Sequence, residues 1–235
     1  MYSWPLAHML GIFDFVGLLI ATSSVISCLL YGVLINPSKS RTALRIDYTL
    51  LWGGQIFFAL FGASSLAEMR PLAIVFEVDR FRVVTYNDIY FQKGEEIPKW
   101  VKKWGLYQER MLAAELHPPP GQSTDRIAMV LSGVEIGQMP SRWINYSMAS
   151  NGVRQKAKDI RSLMFKYPKE FVSCNTAGYF CMRNSFGKDL SLKEDTLWLP
   201  IVSRHSLEWI AFIEPKAYKI TGYMNVDGFF DTELP

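Results

Sequence analysis

Residues suited to catalysis or metal binding are scarce in this sequence of 235 residues, which has three histidines and three cysteines. His8, His117 and His205 lie far apart, and none keeps ligand spacing with another histidine or with a cysteine. Nucleophile elbows, Walker-type phosphate loops and Gly-x-Gly-x-x-Gly motifs do not occur in the sequence. It therefore predicts a protein that is not an enzyme, with no catalytic, cofactor-binding or metal-binding residues.

Charge is sparse in the first 69 residues and mixed after them. The charged residues of the first part are Lys39, Arg41, Arg45, Asp14, Asp47 and Glu68. The remainder of the 25 basic and 22 acidic residues follow position 69, without a basic stripe. This distribution argues against binding to nucleic acid and predicts two regions of different character.

Two apolar stretches occupy the poorly charged part, at about residues 11–35 and 48–67. Each is long enough to cross ~30 Å of hydrocarbon as a helix. The intervening loop, residues 36–45, carries Lys39, Arg41 and Arg45, and short basic loops stay on the cytoplasmic side. We therefore expect residues 1–69 to form a hairpin in a bacterial inner membrane, with residues 70–235 in the periplasm.

Two alternatives for the apolar stretches fit the sequence less well. A cleaved signal peptide would need a basic start and a small-x-small cleavage site, and neither is present. Two buried helices of a soluble core would not need stretches this long with so few charges.

Small and polar residues inside the stretches are candidates for helix contacts. Asp14 lies near the start of the first stretch, and Gln55 lies deeper in the second. Either the two helices pack on each other through these faces, or one face accepts a helix from another membrane protein. The candidate partner-binding residues are Gly17, Ala21, Gly54, Gly62 and Asp14.

Residues 70–235 predict a periplasmic α+β domain in which an antiparallel sheet packs on helices. Residues 72–84 predict one long strand or a strand with a kink, in which Glu77 and Asp79 share a face and have a structural role. Predicted helices cover much of 86–116, 123–131 and 150–165, and predicted antiparallel strands cover 197–202, 207–213 and 218–226.

Cys174 and Cys181 lie close together in this second region. In an oxidising compartment two such cysteines form a structural disulfide that closes a small loop, or they remain buried thiols. The sequence leaves both outcomes open. Cys28, within the first apolar stretch, is predicted to be an inert apolar residue.

Three segments together form a recognisable pattern. They are Arg70-Pro71 with Val75 to Val84, the edges Asn36-Pro37 and Arg45-Ile46-Asp47 of the basic loop, and the ending from Leu199-Pro200 and Trp209 through Gly222-Tyr223 to Asp227-Gly228-Phe229. The pattern resembles that of the TfpX/TfpZ-type type IV pilin accessory proteins, and the resemblance covers nearly the whole chain. Members of that family usually begin with a further apolar helix, which this sequence does not show.

The resemblance implies an inner-membrane assembly factor that stabilises a type IV major pilin or assists its assembly into fibres. The implied partners are the pilin and the membrane, with no nucleic acid and no small-molecule substrate. The alternative class is a periplasmic ligand-sensing or general envelope interaction module. A sensor would need a cytoplasmic output domain, and the expected cytoplasmic part is only the loop of residues 36–45.

Overall fold

The computed structural model describes residues 4–34, 38–91, 96–101, 110–116, 133–172, 174, 178–183 and 189–230. In these ranges the helices are α1 Trp4–Met9, α2 Ile12–Leu34, α3 Arg41–Glu68, α4 Ser150–Lys156 and α5 Ile160–Lys166. The strands are β1 Pro71–Glu77, β2 Arg80–Thr85, β3 Arg110–Ala114, β4 Trp143–Asn145, β5 Lys158–Asp159, β6 Phe171–Val172, β7 Tyr179–Arg183, β8 Asp189–Lys193, β9 Leu197–Val202, β10 Ile210–Ile213 and β11 Ile220–Met224.

The second long helix, α3, begins at Arg41 and not near Tyr48. Ser40 caps it, because its hydroxyl oxygen accepts a hydrogen bond from the Ala43 amide at 3.3 Å. Arg41 and Arg45, expected in the basic loop of residues 36–45, are therefore part of the helix. Lys39 remains before the helix and pairs with the buried Asp47 carboxylate at 2.7 Å.

The short helix α1 packs into the α+β domain, although residues 1–69 were all expected in the membrane region. Leu6, Met9 and Leu10 are almost fully buried in the same cluster as Leu199 and other sheet residues. The Ser203 hydroxyl donates a hydrogen bond to the Met9 carbonyl at 2.8 Å, which ties α1 to the loop after β9. The apolar residues of α1 are thus core residues of the domain.

A mixed eight-stranded sheet organises the domain, in the order β11-β10-β9-β2-β1-β3-β4, with β5 beside the first half of β9. The predicted α+β class is confirmed. Most neighbouring strands are antiparallel, but β1–β3 and β2–β9 are parallel, so the sheet is not antiparallel throughout. A smaller sheet, β6-β7-β8, lies beside it.

The segment predicted as one long strand is a hairpin. β1 and β2 pair up to Glu77 and Arg80, and Val78 and Asp79 form the turn between them. Val78 has a φ of 39°, a conformation that a β-branched residue rarely adopts. Asp79 therefore lies in the turn and does not share a strand face with Glu77.

Two of the predicted helices differ from the structure. In the described parts of 86–116 there is one short 3₁₀ turn, and β3 is a strand. Residues 150–165 form two helices interrupted by β5, because Lys158 and Asp159 pair with β9 and Asp159 caps α5 through the Arg161 amide. Met164, expected on the buried face, is 44% exposed. The predicted helix 123–131 lies outside the described residues.

Candidate partner-binding surfaces

Gln55 joins the two long helices by hydrogen bonds. Its side-chain carbonyl accepts a bond from the Ser23 hydroxyl at 3.0 Å, and its side-chain nitrogen donates to the Ser27 hydroxyl. The polar group in the second apolar stretch is thus satisfied inside the hairpin. Gln55 sets how α2 and α3 face each other.

The candidate small residues of the hairpin have two kinds of surroundings. A Cβ atom added at the buried Gly62 would lie 3.0 Å from Leu19, so Gly62 allows α2 and α3 to approach. A Cβ atom added at Gly17 or Gly54 would meet nothing within 4 Å. Ala21 is exposed. Gly62 therefore serves the contact inside the hairpin, whereas Gly17, Gly54 and Ala21 leave space beside it.

The outward faces of the hairpin are apolar and exposed. Only 6% of the most apolar window of each long helix is buried within the chain. Exposed fractions exceed one half for many large side chains, including Leu18, Leu29, Trp52, Phe57 and Leu60. A core helix of a soluble protein would bury such residues, so these faces fit a membrane-associated protein. Both helices are long and apolar enough to span a bilayer.

A cleft of about 630 Å³, here named the elbow cleft, lies where the hairpin meets the α+β domain. Its polar wall contains His8, Asp14, His205, Ser206 and Asn225. Asp14, a candidate partner-binding residue, therefore lies at this junction and not between the two long helices.

The other wall of the elbow cleft is apolar. It is formed by Phe15 and Leu18 of α2, by Met69 directly after α3, and by Trp209. Gly11, between α1 and α2, has a φ of 66°, a left-handed conformation that glycine adopts readily, and the His205 ring lies beside it. The loop of His205 is held by Ser203, whose hydroxyl oxygen accepts hydrogen bonds from the amides of His205 and Ser206.

The turn between β1 and β2 and the side chain of Phe229 form an exposed surface, here named the tip, consisting of Val78, Asp79, Arg80 and Phe229. The Arg80 guanidinium lies 5.0 Å from the centre of the Phe229 ring and pairs with Asp79 at 2.9 Å. Val78 is 47% and Phe229 42% exposed. Two segments that carry the family resemblance, far apart in sequence, thus meet at the tip.

Beside the tip, a buried ion pair holds β1 and β2 together. Arg82 Nε donates to Glu77 Oε1 at 2.7 Å, and the Gly137 amide donates to Glu77 Oε2 at 2.9 Å. Burial raises the pKa of the Glu77 carboxyl, and the nearby Arg82 offsets part of that rise. A side chain at Gly137 would collide with the carboxylate, because an added Cβ would lie 2.7 Å from Oε2.

Cys174 and Cys181 are joined by a disulfide, with their Cα atoms 5.3 Å apart. Cys181 lies in the centre of β7, the middle strand of the small sheet. The bridge therefore fastens Cys174, which lies between β6 and β7, to that sheet.

The residues with reactive side chains do not gather into a metal centre in the described ranges, where no group of three or more His, Cys, Asp or Glu has suitable geometry. His8 and His205 both line the elbow cleft, and His117 lies outside the described residues. Sequence reasoning missed the elbow cleft and the tip, because each combines residues that are far apart in the sequence. The sequence signal for the tip was that Arg80 and Phe229 both belong to segments that carry the family resemblance.

The fold and its surfaces define a class, an α+β domain carried on an exposed apolar hairpin and fit for membrane association. Comparison with known proteins adds a similarity to fimbrial assembly proteins. The chain is similar to two fimbrial assembly proteins of Dichelobacter nodosus, those of serogroup I and serogroup E1. They are 25% and 24% identical over 228 residues, which cover 97% of this chain and 86% of each relative.

A third relative is similar over a shorter range. The fimbrial assembly protein of Dichelobacter nodosus serogroups C1 and C2 is 29% identical over 98 residues, which cover 42% of this chain and 72% of that protein. No family model matches the chain. No solved structure matches it either.

Proposed function

We propose that this protein is a non-catalytic assembly factor of the bacterial inner membrane that binds a type IV major pilin before the pilin enters a fibre. Its similarity to fimbrial assembly proteins over nearly the whole chain is the observation that carries the proposal. In this proposal α2 and α3 span the membrane, and the domain lies in the periplasm.

The hairpin would hold the apolar helix of the pilin. Gly17 and Gly54 support this role, because both leave open space that the contact between α2 and α3 does not use. Helices in lipid associate where small residues let their backbones approach closely. Gln55 is already occupied by Ser23 and Ser27, so the pilin contact relies on shape rather than on this polar group.

The tip would contact the periplasmic head of the pilin. β1 starts just after α3 and has seven residues, so the tip stands about 20 Å from the end of the membrane helix. Val78 and Phe229 offer exposed apolar contacts there, and Asp79 and Arg80 offer charges. One partner with a membrane helix and a head could touch both surfaces.

Crosslinking in native membranes, followed by purification of the full chain, tests this function. We expect the pilin to be recovered with the wild type and with the control Leu29→Ala/Leu60→Ala, which shortens exposed side chains of the same two helices and adds no bulk. Recovery should fall about tenfold for Gly17→Leu/Gly54→Leu, as a clash of 1–3 kcal/mol predicts. A similar fall is expected for the tip variant Val78→Asn/Phe229→Ala.

Two outcomes would count against the proposal. If both test variants recovered as much pilin as the wild type, the pilin would not bind at these two contacts. Absence of pilin among the proteins crosslinked to the wild type would contradict the proposed assembly function.

A further inference from the structure

We propose that the elbow cleft binds one phospholipid with a primary amine in its headgroup, taken from the outer leaflet of the surrounding bilayer. This inference rests on the membrane placement of α2 and α3 in the proposed function. It goes beyond that function because it assigns a lipid, and not the pilin, to a site between the hairpin and the domain.

The position of the elbow cleft supports a lipid as its occupant. Asp14, Phe15 and Leu18 belong to the first two turns of α2, and Met69 directly follows α3. The ends of helices that span a bilayer lie where the hydrocarbon meets the headgroups. The elbow cleft is therefore open to the outer leaflet at the level of the headgroups.

The two walls of the elbow cleft match the two parts of a lipid. Leu18 lies one turn deeper along α2 than Asp14, or about 6 Å further into the membrane. The polar groups of His205, Ser206 and Asn225 come from loops of the domain, outside the membrane. A lipid in its normal orientation thus brings its headgroup to the polar wall and its chain to the apolar wall.

The charges of the elbow cleft select the headgroup. Within the described chain, its lining has one carboxylate, Asp14, the imidazoles of His8 and His205, and no lysine or arginine. A primary ammonium can pair with Asp14. The phosphate can accept hydrogen bonds from the Ser206 hydroxyl and from the second hydrogen of the Asn225 amide, whose first is donated to a backbone carbonyl. An anionic glycerol headgroup would add negative charge beside Asp14 without a lysine or arginine to balance it. We therefore expect phosphatidylethanolamine to be preferred over phosphatidylglycerol.

Native mass spectrometry of the full chain, released from nanodiscs with equal amounts of the two lipids, tests the assignment. We expect one retained phosphatidylethanolamine on the wild type. Asp14→Asn should reduce its occupancy about tenfold, because a charge-assisted hydrogen bond is lost. Asp195→Asn is the matched control, since it removes an exposed carboxylate in the turn between β8 and β9, away from the elbow cleft, and should leave the occupancy unchanged.

The outcomes separate the lipid site from the proposed function. Equal occupancy in Asp14→Asn and the wild type, or a preference for phosphatidylglycerol, would overturn the lipid site while leaving the pilin contacts intact. Crosslinking of the pilin, and not of lipid, from a photoreactive group at Asn225 would reassign the elbow cleft to the pilin. Release of the wild type from membranes by alkaline carbonate would overturn both proposals.

Discussion

At the scale of single residues, Glu77 and Arg82 form an ion pair whose charges are costly to bury and whose atoms lie only 2.7 Å apart. The two side chains are only 4% and 11% exposed. Removing one partner of a buried pair typically costs about 3–5 kcal/mol, because the other charge stays buried without compensation. Gly137 is part of this unit, since its amide binds the carboxylate and its missing side chain leaves room for it.

The pair gives a prediction about pH. Because the pKa of Glu77 is raised in the folded state, its stabilising contribution is present below the unfolded value of about 4.3 and is lost as the pH rises through the raised value. The free energy of unfolding of the wild type, relative to Glu77→Gln, should therefore decrease between pH 4 and pH 7. Chemical denaturation in detergent at several pH values measures this difference.

Glu135→Gln provides the control for that measurement. The Glu135 carboxylate also faces Arg82, at 3.6 Å, but its side chain is half exposed. We expect its substitution to change stability little at any pH. A relative stability of the wild type that instead rises with pH would mean that Arg82 outweighs burial at Glu77.

At the scale of elements, α1 provides the clearest prediction. Leu6 is fully buried among residues of the main sheet. Leu6→Ala should lower the free energy of unfolding of the α+β domain by about 2–5 kcal/mol, as for other truncations in a packed core. Thermal unfolding followed by near-ultraviolet circular dichroism measures the loss.

Leu29→Ala is the matched control for α1. Leu29 has the same side chain in the neighbouring helix but is 64% exposed. Its substitution should leave the unfolding of the domain unchanged. Equal effects of the two substitutions would mean that α1 is not docked on the domain.

The sequence was informative for elements whose pattern depends on local residues, and less so for those fixed by distant contacts. The strand 197–202 and the extent of α2 follow from apolar runs, and the structure has them at Leu197–Val202 and Ile12–Leu34. The turn at Val78 was missed because valine is disfavoured in tight turns. The break between α4 and α5 was missed because it depends on pairing of β5 with β9.

The candidate surfaces also divide into features that local sequence indicates and features that depend on distant contacts. The small residues could be named from their spacing, but only the structure separates Gly62, which contacts Leu19, from Gly17 and Gly54. The elbow cleft brings His8 together with His205 and Asn225. Nothing in the local sequence around His8 indicates that contact, since it depends on how the whole domain folds.

At the scale of the whole molecule, the structure requires the chain before α2 and the chain after α3 to lie on one side of the hairpin. Together with the basic residues near the turn of the hairpin, this predicts a periplasmic domain and a cytoplasmic turn. A cysteine-labelling experiment in spheroplasts tests the prediction. With Cys28→Ser as background, an impermeant maleimide should label Asp79→Cys at once and Ser38→Cys only after permeabilisation.

Cys174 and Cys181 do not react with the maleimide in this experiment, because they form a disulfide and carry no thiol. Labelling of both test positions in intact spheroplasts would mean that the two helices do not each cross the membrane. The reverse pattern would place the domain in the cytoplasm and contradict the proposed topology.

The docking of α1 also sets the order of events during biosynthesis. Met9 and Ser203 are hydrogen-bonded although 194 residues separate them, so the main core stays incomplete until the chain around Ser203 has been synthesised. A chain whose hairpin inserted the wrong way round would keep Leu6, Met9 and Leu10 on the opposite side from their partners. Such a chain would carry a hole in its core and be exposed to proteases. In the proposed topology, folding of the domain therefore depends on the orientation in which the hairpin inserts into the membrane.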